Sequence, residues 1–349
     1  MHKNTLDNTH ESVQDYYGQV LHSSKDLKTN ACCSLDAIPE HLKSILKKIE
    51  PEVLERFYGC GAPVPTALEG CTVLDLGCGS GRDAYMAASL VGENGHVFGL
   101  DMTDKQLDVA RKCLARQMER FGYTAPNITF LKGYIEDLKA AGIEDNSIDV
   151  IISDCVINLS PDKESVFREA FRVLKPGGEL YFSDVVADRR LPKSLMKDEE
   201  LLGECLAGAM YHEDFRRLMA DIGCADIRKM STTNITIENA QIESKIGMAN
   251  FYSITYRVFK LPLEDRCEDF GQVAYYKGTI PYYPHRFELD DHHVFETDKP
   301  LTVCGNTAAM LEDTRYGRHF RISGEKSKHF GLYDCGEEPA PKSDGTGCC

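Results

Sequence analysis

The chain has 349 residues, 42% of them hydrophobic, which is enough for one large domain or for a core domain with an appendage. Its formal net charge is −15 and it has no basic run, so nucleic acid is disfavoured as a substrate. No apolar run reaches the length of a membrane span, and the first residues lack the apolar centre of a signal peptide. We therefore expect a cytoplasmic protein without a nucleic-acid or membrane partner.

The first 70 residues predict two helical stretches joined by irregular segments, and a regular alternation of strands and helices follows. Buried strands are predicted at residues 71–76, 96–101, 128–131, 148–153 and 179–183. Helices are predicted at 82–91, from 104 to about 121, and at 164–174. Thr103 is the expected N-cap of the second helix, with Gln106 at the capping-box position, and residues 174–178 are expected to form a turn.

Short apolar strands that alternate with helices indicate a parallel sheet covered on both faces, here over residues 71–190. Residues 191–262 are expected to cover the substrate and to supply two last strands. After a polar linker, residues 271–332 have the composition of a small β-rich C-terminal domain. The tail, residues 336–349, is expected to be disordered and ends in Cys348 and Cys349.

A glycine-rich loop follows the first predicted strand, in the order Asp75-Leu76-Gly77-Cys78-Gly79-Ser80-Gly81. Glycines let a backbone turn sharply and approach a ligand closely. A dinucleotide fingerprint would need a third glycine at position 82, where this chain has Arg82. Asp101 ends the second predicted strand, where an acid can accept hydrogen bonds from both hydroxyls of a ribose. Together these features disfavour an ordinary strand-to-helix turn.

This loop resembles the nucleoside-binding loop of S-adenosylmethionine-dependent methyltransferases. The resemblance implies a Rossmann-like class I methyltransferase sheet with flanking helices and S-adenosylmethionine as cofactor. In such proteins the residues after the third strand, here Gly133-Tyr134-Ile135-Glu136, lie against the adenine. The implied cofactor contacts are Tyr58, Asp75, Gly77, Gly79, Gly81, Arg82, Asp101, Met102, Gly133, Ile135, Glu136 and Cys155.

Fourteen cysteines are many for a reducing compartment, where thiols pack, bind metal or react, and none forms a CxxC pair. Cys155 directly follows the fourth predicted strand, and ligands of open α/β sheets bind outside the carboxyl ends of strands. Position favours a functional role for Cys155 and leaves Cys60 and Cys205 open between function and packing. Buried hydrophobes are expected at Cys71, Cys78, Cys113 and Cys224, whereas Cys267, Cys304 and Cys335 have no functional interpretation.

Seven segments between about residues 12 and 260 resemble those of the arsenite methyltransferases: DYYGQVL, KTNACC, FYGCG, DLGCGSGRD, SDCVINLSPDK, GGELYFSDV and GECLAGAMY. The resemblance implies that the thiolates of Cys60, Cys155 and Cys205 hold arsenic(III) and that Cys32 takes part in thiol exchange. Cys33 leaves open which of the two neighbours exchanges.

The activity implied by this resemblance is methylation of arsenite to methylarsenite and then to dimethylarsenite, a detoxification. Glutathione or thioredoxin would act as reductant, and we expect a monomer. Trivalent arsenic is soft and prefers sulfur ligands, and its lone pair is a nucleophile that carries no proton. The chemistry therefore needs no general base, and the sequence offers no persuasive one.

Two other functions remain open at this point. A methyltransferase of an organic small molecule would need a general base for most oxygen and nitrogen acceptors. A thiol-rich protein that only sequesters arsenic or zinc would not need Asp75, the glycine loop or Asp101. The Cys348 and Cys349 pair could capture arsenic or be inert.

Overall fold

The computed structural model describes residues 10–14, 16, 38–59, 61–198, 201–202, 205–237 and 239–334. The strands of its central sheet are β1 (Thr72–Leu76), β2 (His96–Asp101), β3 (Ile128–Lys132), β4 (Ile148–Asp154), β5 (Leu174–Ala187), β6 (Met210–Tyr211), β7 (Ile227–Ile235) and β8 (Phe251–Phe259). They lie in the order β3-β2-β1-β4-β5-β8-β7, with β6 paired to β5. Strands β1 to β5 pair in parallel, and β8 runs antiparallel to both β5 and β7.

The helices are α1 (Glu40–Leu46), α2 (Pro51–Glu55), α3 (Arg82–Val91), α4 (Asp104–Phe121), α5 (Lys163–Val173), α6 (His212–Ile222), α7 (Ala240–Ile246) and α8 (Gly305–Glu312). Residues 10–14 are also helical. None of the helices in the described part of the chain is both long and apolar enough to cross a membrane.

Both faces of the sheet are buried, as the alternation of strands and helices predicted. Successive residues of a strand point to opposite faces, so Val73 packs among residues of α3 and α4, whereas Leu74 packs among residues of α5 and α6. The predicted Rossmann-like α/β class with a β-rich C-terminal region is confirmed. The predicted bounds of α3 and β2 agree with the observed ones because each is a short, uniformly patterned segment flanked by turn residues.

One local prediction was wrong, and another was confirmed only in part. Residues 174–178 do not form a separate turn but a bulge inside β5, where Leu174 pairs with Ile148 and the next paired residue is Glu179. Thr103 is the N-cap residue of α4, yet its side chain makes no capping hydrogen bond. The hydroxyl of Thr103 instead hydrogen-bonds Asp101, which draws it away from the helix end.

The C-terminal region contains three small sheets built from β9 (Glu268–Asp269), β10 (Gln272–Tyr276), β11 (Arg286–Glu288), β12 (Val294–Glu296), β13 (Pro300–Val303), β14 (Phe320–Ser323) and β15 (Gly331–Leu332). Helix α8 also belongs to it, and the sequence analysis missed this helix. Its apolar face packs in a cluster with residues from β10, β11, β12 and β14.

A buried ionic network joins this region to the central sheet. The carboxylate of Glu179 on β5 accepts hydrogen bonds from Arg257 on β8 (2.6 Å) and from the hydroxyl of Tyr316 (3.3 Å), and it pairs with Arg315. Burial alone would raise the pKa of Glu179, but the guanidinium groups of Arg315 and Arg257 hold it below its usual value. The charges are therefore compensated only while all partners are present.

Glu179→Gln should destabilise the protein by about 3–5 kcal/mol, because it leaves two guanidinium groups buried without their carboxylate. Urea unfolding measures the change. Glu164→Gln is the control, since Glu164 pairs with Arg168 at the surface, and it should leave the unfolding midpoint unchanged. Equal midpoints for the two variants would contradict a structural role for the buried network.

Candidate functional site

A cleft opens at the carboxyl ends of β1 and β4, the two central strands of the sheet. Leu76 pairs with Ser153, so the residues that follow each strand leave the sheet at the same edge. The sheet order also reverses here, since β1 continues to β2 on one side and β4 to β5 on the other. Such a switch point is where open α/β sheets bind ligands.

Ten of the twelve residues predicted to contact the cofactor line this cleft: Tyr58, Asp75, Gly77, Gly79, Asp101, Met102, Gly133, Ile135, Glu136 and Cys155. Gly81 and Arg82 lie beside it. Gly81 is the N-cap of α3 with a φ of 96°, and a Cβ there would lie 3.1 Å from the ring of Phe130. Glycine at position 81 therefore allows the start of α3 to pack against Phe130.

Asp75 places an unpartnered carboxylate oxygen in the cleft. Its Oδ2 is buried and has no hydrogen-bond partner among the described residues. Burial raises the pKa of Asp75 well above its usual value, and the nearby carboxylates of Asp83, Asp154 and Asp101 raise it further. Four acidic groups around one guanidinium, that of Arg82, favour a positively charged ligand, which would supply the missing partner of Asp75.

Asp101 is held rigidly at the end of β2. Its Oδ2 accepts a hydrogen bond from the amide of Gly79 (2.9 Å), and its Oδ1 accepts one from the amide of Thr103 (2.7 Å). The hydroxyl of Thr103 and the amide of Met102 also hydrogen-bond this carboxylate, so a hydroxyl group of a ligand would replace the Thr103 hydroxyl as a donor. This geometry suits the two vicinal hydroxyls of a ribose.

Residues 10–14 cover one end of the cleft, a contact that the sequence analysis did not predict. The ring of His10 stacks on Tyr134 at 4.6 Å, and its Nε2 lies 3.1 Å from Oε1 of Glu136. The amide of Gln14 donates to the carbonyl of Met102 (3.0 Å). No residue pattern near His10 signals this contact, because it joins positions more than 80 residues apart.

Arg82 fixes the chain on the opposite side of the cleft. Its guanidinium lies 3.1 Å from the centre of the Phe57 ring, bonds Asp83 and the carbonyl of Gly61, and lies 3.4 Å from Asp154. A Cβ on Gly59 would come within 2.2 Å of Asp154. Arg82 therefore positions the segment that flanks Cys60, although Cys60 itself lies outside the described residues.

Cys155 and Cys205 are brought together although they are 50 residues apart in sequence. Both are buried, and the thiol of Cys205 donates to the carbonyl of Cys155 (3.3 Å). Their φ angles are 57° and 61°, a left-handed conformation that is uncommon for residues other than glycine. Strained backbone of this kind is concentrated at functional sites. Cys155 is disulfide-bonded in this structure.

The remaining cysteines divide into three groups. Cys71, Cys78, Cys113 and Cys224 are buried, as predicted, although Cys78 also lines the cleft. Cys267 and Cys304 lie in the C-terminal region. The third group lies outside the described residues and comprises the predicted exchange cysteine Cys32, its neighbour Cys33, Cys335 and the terminal Cys348 and Cys349.

Lys163 is a half-buried cation near Cys205 that the sequence analysis missed. Its ammonium group donates to the carbonyls of Asn158 (3.2 Å) and Ser160 (2.9 Å). Burial lowers the pKa of Lys163 to about 8, while the nearby Asp184, Cys205 and Glu136 oppose that shift. The lysine thus places positive charge near the Cys205 sulfur.

The comparisons with known proteins agree with this geometry. Residues 67–223 match the family model of a methyltransferase domain, and residues 270–344 match that of the arsenite methyltransferase C-terminal domain. The arsenite methyltransferase of Aquipseudomonas alcaligenes is 53% identical over 97% of this chain and 100% of its own length. The human arsenite methyltransferase is 44% identical over 90% of this chain and 84% of its own length.

A solved structure gives the same answer. The arsenic(III) S-adenosylmethionine methyltransferase of Chlamydomonas reinhardtii matches with a TM-score of 0.83 and 52% identity, covering 85% of this chain and 100% of its own. The sequence relationship spans both the methyltransferase domain and the C-terminal region. On these grounds the chain belongs to the arsenite methyltransferase family.

Proposed function

We propose that this protein transfers methyl groups from S-adenosylmethionine to trivalent arsenic held by cysteine thiolates. The product series is methylarsenite and then dimethylarsenite, and the process serves arsenic detoxification in the cytoplasm. The observation that carries the proposal is the cleft in which Cys155, with Cys205 against its carbonyl, shares one sheet edge with the acidic groups Asp75 and Asp101.

The residues of the cleft fit the cofactor. S-adenosylmethionine supplies an electrophilic methyl group on a positively charged sulfonium. Asp75 offers an unpartnered buried oxygen to its positive charge, and Asp101, fixed by two backbone amides, can accept its ribose hydroxyls. Tyr134 and Glu136, covered by His10, border the end assigned to the adenine.

The substrate is held by sulfur. Cys155 and Cys205 supply two thiolates, and we assign the third to Cys60, which follows Gly59 directly in the segment that Arg82 fixes. Three sulfur ligands leave the arsenic lone pair on the open side, where it acts as nucleophile. Because that lone pair carries no proton, the residues need only orient it and exclude water.

A reductant is required for this chemistry, because transfer of the methyl group to the lone pair leaves arsenic formally pentavalent, and two thiols must supply the two electrons that return it to the trivalent state, becoming a disulfide as they do so. Cys155 can bind arsenic only as a thiolate, and here it is disulfide-bonded. Glutathione or thioredoxin is the proposed source of electrons, with Cys32 as the thiol that exchanges with the core disulfide. In this proposal the protein works as a monomer.

The activity test is incubation of the purified protein with arsenite, glutathione and methyl-labelled cofactor, followed by separation of the arsenic species. We expect labelled methylarsenite and dimethylarsenite. Cys155→Ser should lower the rate at least about a hundredfold, since the loss of one sulfur ligand removes the substrate from the cleft. Cys113→Ser, at a buried cysteine outside the cleft, should retain the rate. Label transfer to an organic acceptor and none to arsenic would favour the small-molecule alternative.

Asp101→Ala should weaken binding of S-adenosylmethionine by about 2–4 kcal/mol, because two hydrogen bonds to a carboxylate are lost. Titration calorimetry measures the affinity, and Asp108→Ala on the exposed side of α4 is the matched control. An Asp101→Ala variant that binds as tightly as the control would remove Asp101 from the ribose site.

Lys163→Met should lower the methylation rate about tenfold at pH 7, because it removes the positive charge that favours the thiolate of Cys205. The charge of Lys163 is present below its pKa of about 8 and is lost above it, so the variant should approach the unmodified enzyme near pH 9. Lys163→Arg keeps the charge and should keep most of the rate at pH 7. A pH-independent loss in Lys163→Met would show that the lysine is structural.

A further inference from the structure

Cys267 and Cys304, which the proposed reaction does not use, lie together in the C-terminal region. Cys267 hydrogen-bonds the sulfur of Cys304, and no disulfide joins these two described cysteines. Cys267 immediately precedes β9, and Cys304 immediately precedes α8. The two elements are packed tightly, since a Cβ on Gly305 would lie 2.8 Å from the ring of Phe270. The fold therefore brings the two sulfurs together from positions 37 residues apart in the sequence.

The surroundings of the Cys304 sulfur are hydrogen-bond donors. Cys304 is the N-cap of α8, and its sulfur accepts a hydrogen bond from the amide of Thr307 (3.4 Å). The hydroxyl of Thr307 lies 3.3 Å from the same sulfur and itself accepts from Arg228 (3.2 Å). The Thr307 hydroxyl is thus free to direct its proton at the sulfur. A helix N-terminus and a nearby guanidinium both favour a thiolate.

These contacts favour the thiolate form of Cys304. The hydrogen bond from Cys267, helped by Thr307 and Arg228, lowers the pKa of Cys304 to about 5, although burial opposes the shift. Cys224 shows the opposite case. Its thiol donates to the carbonyls of Asp226 (3.5 Å) and Phe259 (3.8 Å), and burial raises its pKa to about 12.

We propose that Cys267 and Cys304 form a second arsenic(III) site, which holds an arsenical with two exchangeable ligands, such as methylarsenite. The identity of the ligand rests on the proposed function, because that reaction makes methylarsenite within the same molecule. The site itself rests on the paired sulfurs and on the donors around Cys304.

The number of ligands points to arsenic rather than to zinc. Structural zinc takes four ligands in a tetrahedron. In the described part of the chain, one cluster has three side chains close enough to bind a metal ion: Asp290, His292 and His293. The cysteine pair does not belong to that cluster. Two sulfurs and one methyl group complete the coordination of a trivalent arsenic atom. Arsenic is also soft and prefers sulfur.

The binding step balances without an oxidant or a reductant. Cys267 is half-buried and meets the arsenical first, and the buried Cys304 thiolate then closes the ring. Two arsenic–sulfur bonds form and the two arsenic–oxygen bonds of methylarsenite break. One departing hydroxide takes the proton of Cys267, the other takes a proton from solvent, and both leave as water. Arsenic remains trivalent throughout.

The direct test is to mix the reduced full-length protein with one equivalent of methylarsenite, digest it with trypsin and identify the peptides by mass spectrometry. A methylarsenic group should bridge the peptide of residues 267–277 to the peptide of residues 287–315. In a parallel sample, methylarsenite should slow alkylation of Cys267 at least about tenfold, since a second sulfur on the same scaffold raises the local concentration. Cys304→Ser should abolish this protection, and Cys224→Ser should preserve it.

Each outcome decides the inference. Unprotected Cys267 and no bridged peptide would overturn it, and so would a Cys267–Cys304 disulfide as the only linked product, which indicates a redox pair. If protection survives in Cys304→Ser, the pair is not the site. Arsenite methylation is followed separately, so a protein that methylates arsenic but shows no bridge contradicts only the second site. A bridged protein that methylates nothing contradicts only the proposed function.

Discussion

The parallel pairing of β1 with β4 is the constraint on which the rest of the site depends. It brings Asp75, the glycine loop and Cys155 to one edge of the sheet, although they are separated by up to 80 residues in sequence. A shift of one residue would send each side chain to the other face, and burial on both faces prevents such a shift. The cofactor cleft and Cys155, the proposed arsenic ligand, therefore share one rigid frame.

The charges of the cleft also favour a positively charged methyl donor. Four aspartates surround it, and Arg82 neutralises part of their charge while also holding Phe57 and Gly61. The remaining negative potential suits a sulfonium, which loses its charge on transfer. A cleft that favours the sulfonium therefore binds the demethylated cofactor, whose sulfur is neutral, less tightly, and this favours release.

Much of this site could be predicted from the sequence because its signals are local. The glycine loop, Asp101 at a strand end and Cys155 after β4 each follow a short apolar strand, and strand ends converge by topology. Gly81 and Arg82 belong to the same loop but have packing roles. Gly81 lets α3 pack closely, and Arg82 stacks on Phe57. The spacing of the motif alone does not separate such residues from those that line the cleft.

The contacts that were missed are long-range. His10 reaches Glu136 across 126 residues. Lys163 approaches Cys205 because the segment after β5 packs in one cluster with Cys155 and Leu159. The pairing of Cys267 with Cys304 depends in the same way on α8, a helix hidden within a β-rich composition. Such contacts have no period or motif, since they arise when separate elements pack.

The central claim is that Cys155 and Cys205 hold arsenic at the sheet edge that also binds the methyl donor. It is tested most directly by a crystal of the reduced protein grown with arsenite and S-adenosylhomocysteine, with anomalous diffraction recorded at the arsenic edge. The account predicts an arsenic peak bonded to the sulfurs of Cys155 and Cys205, with its open side towards the cofactor sulfur. An arsenic peak bonded elsewhere, with both of these cysteines reduced and unligated, would contradict it.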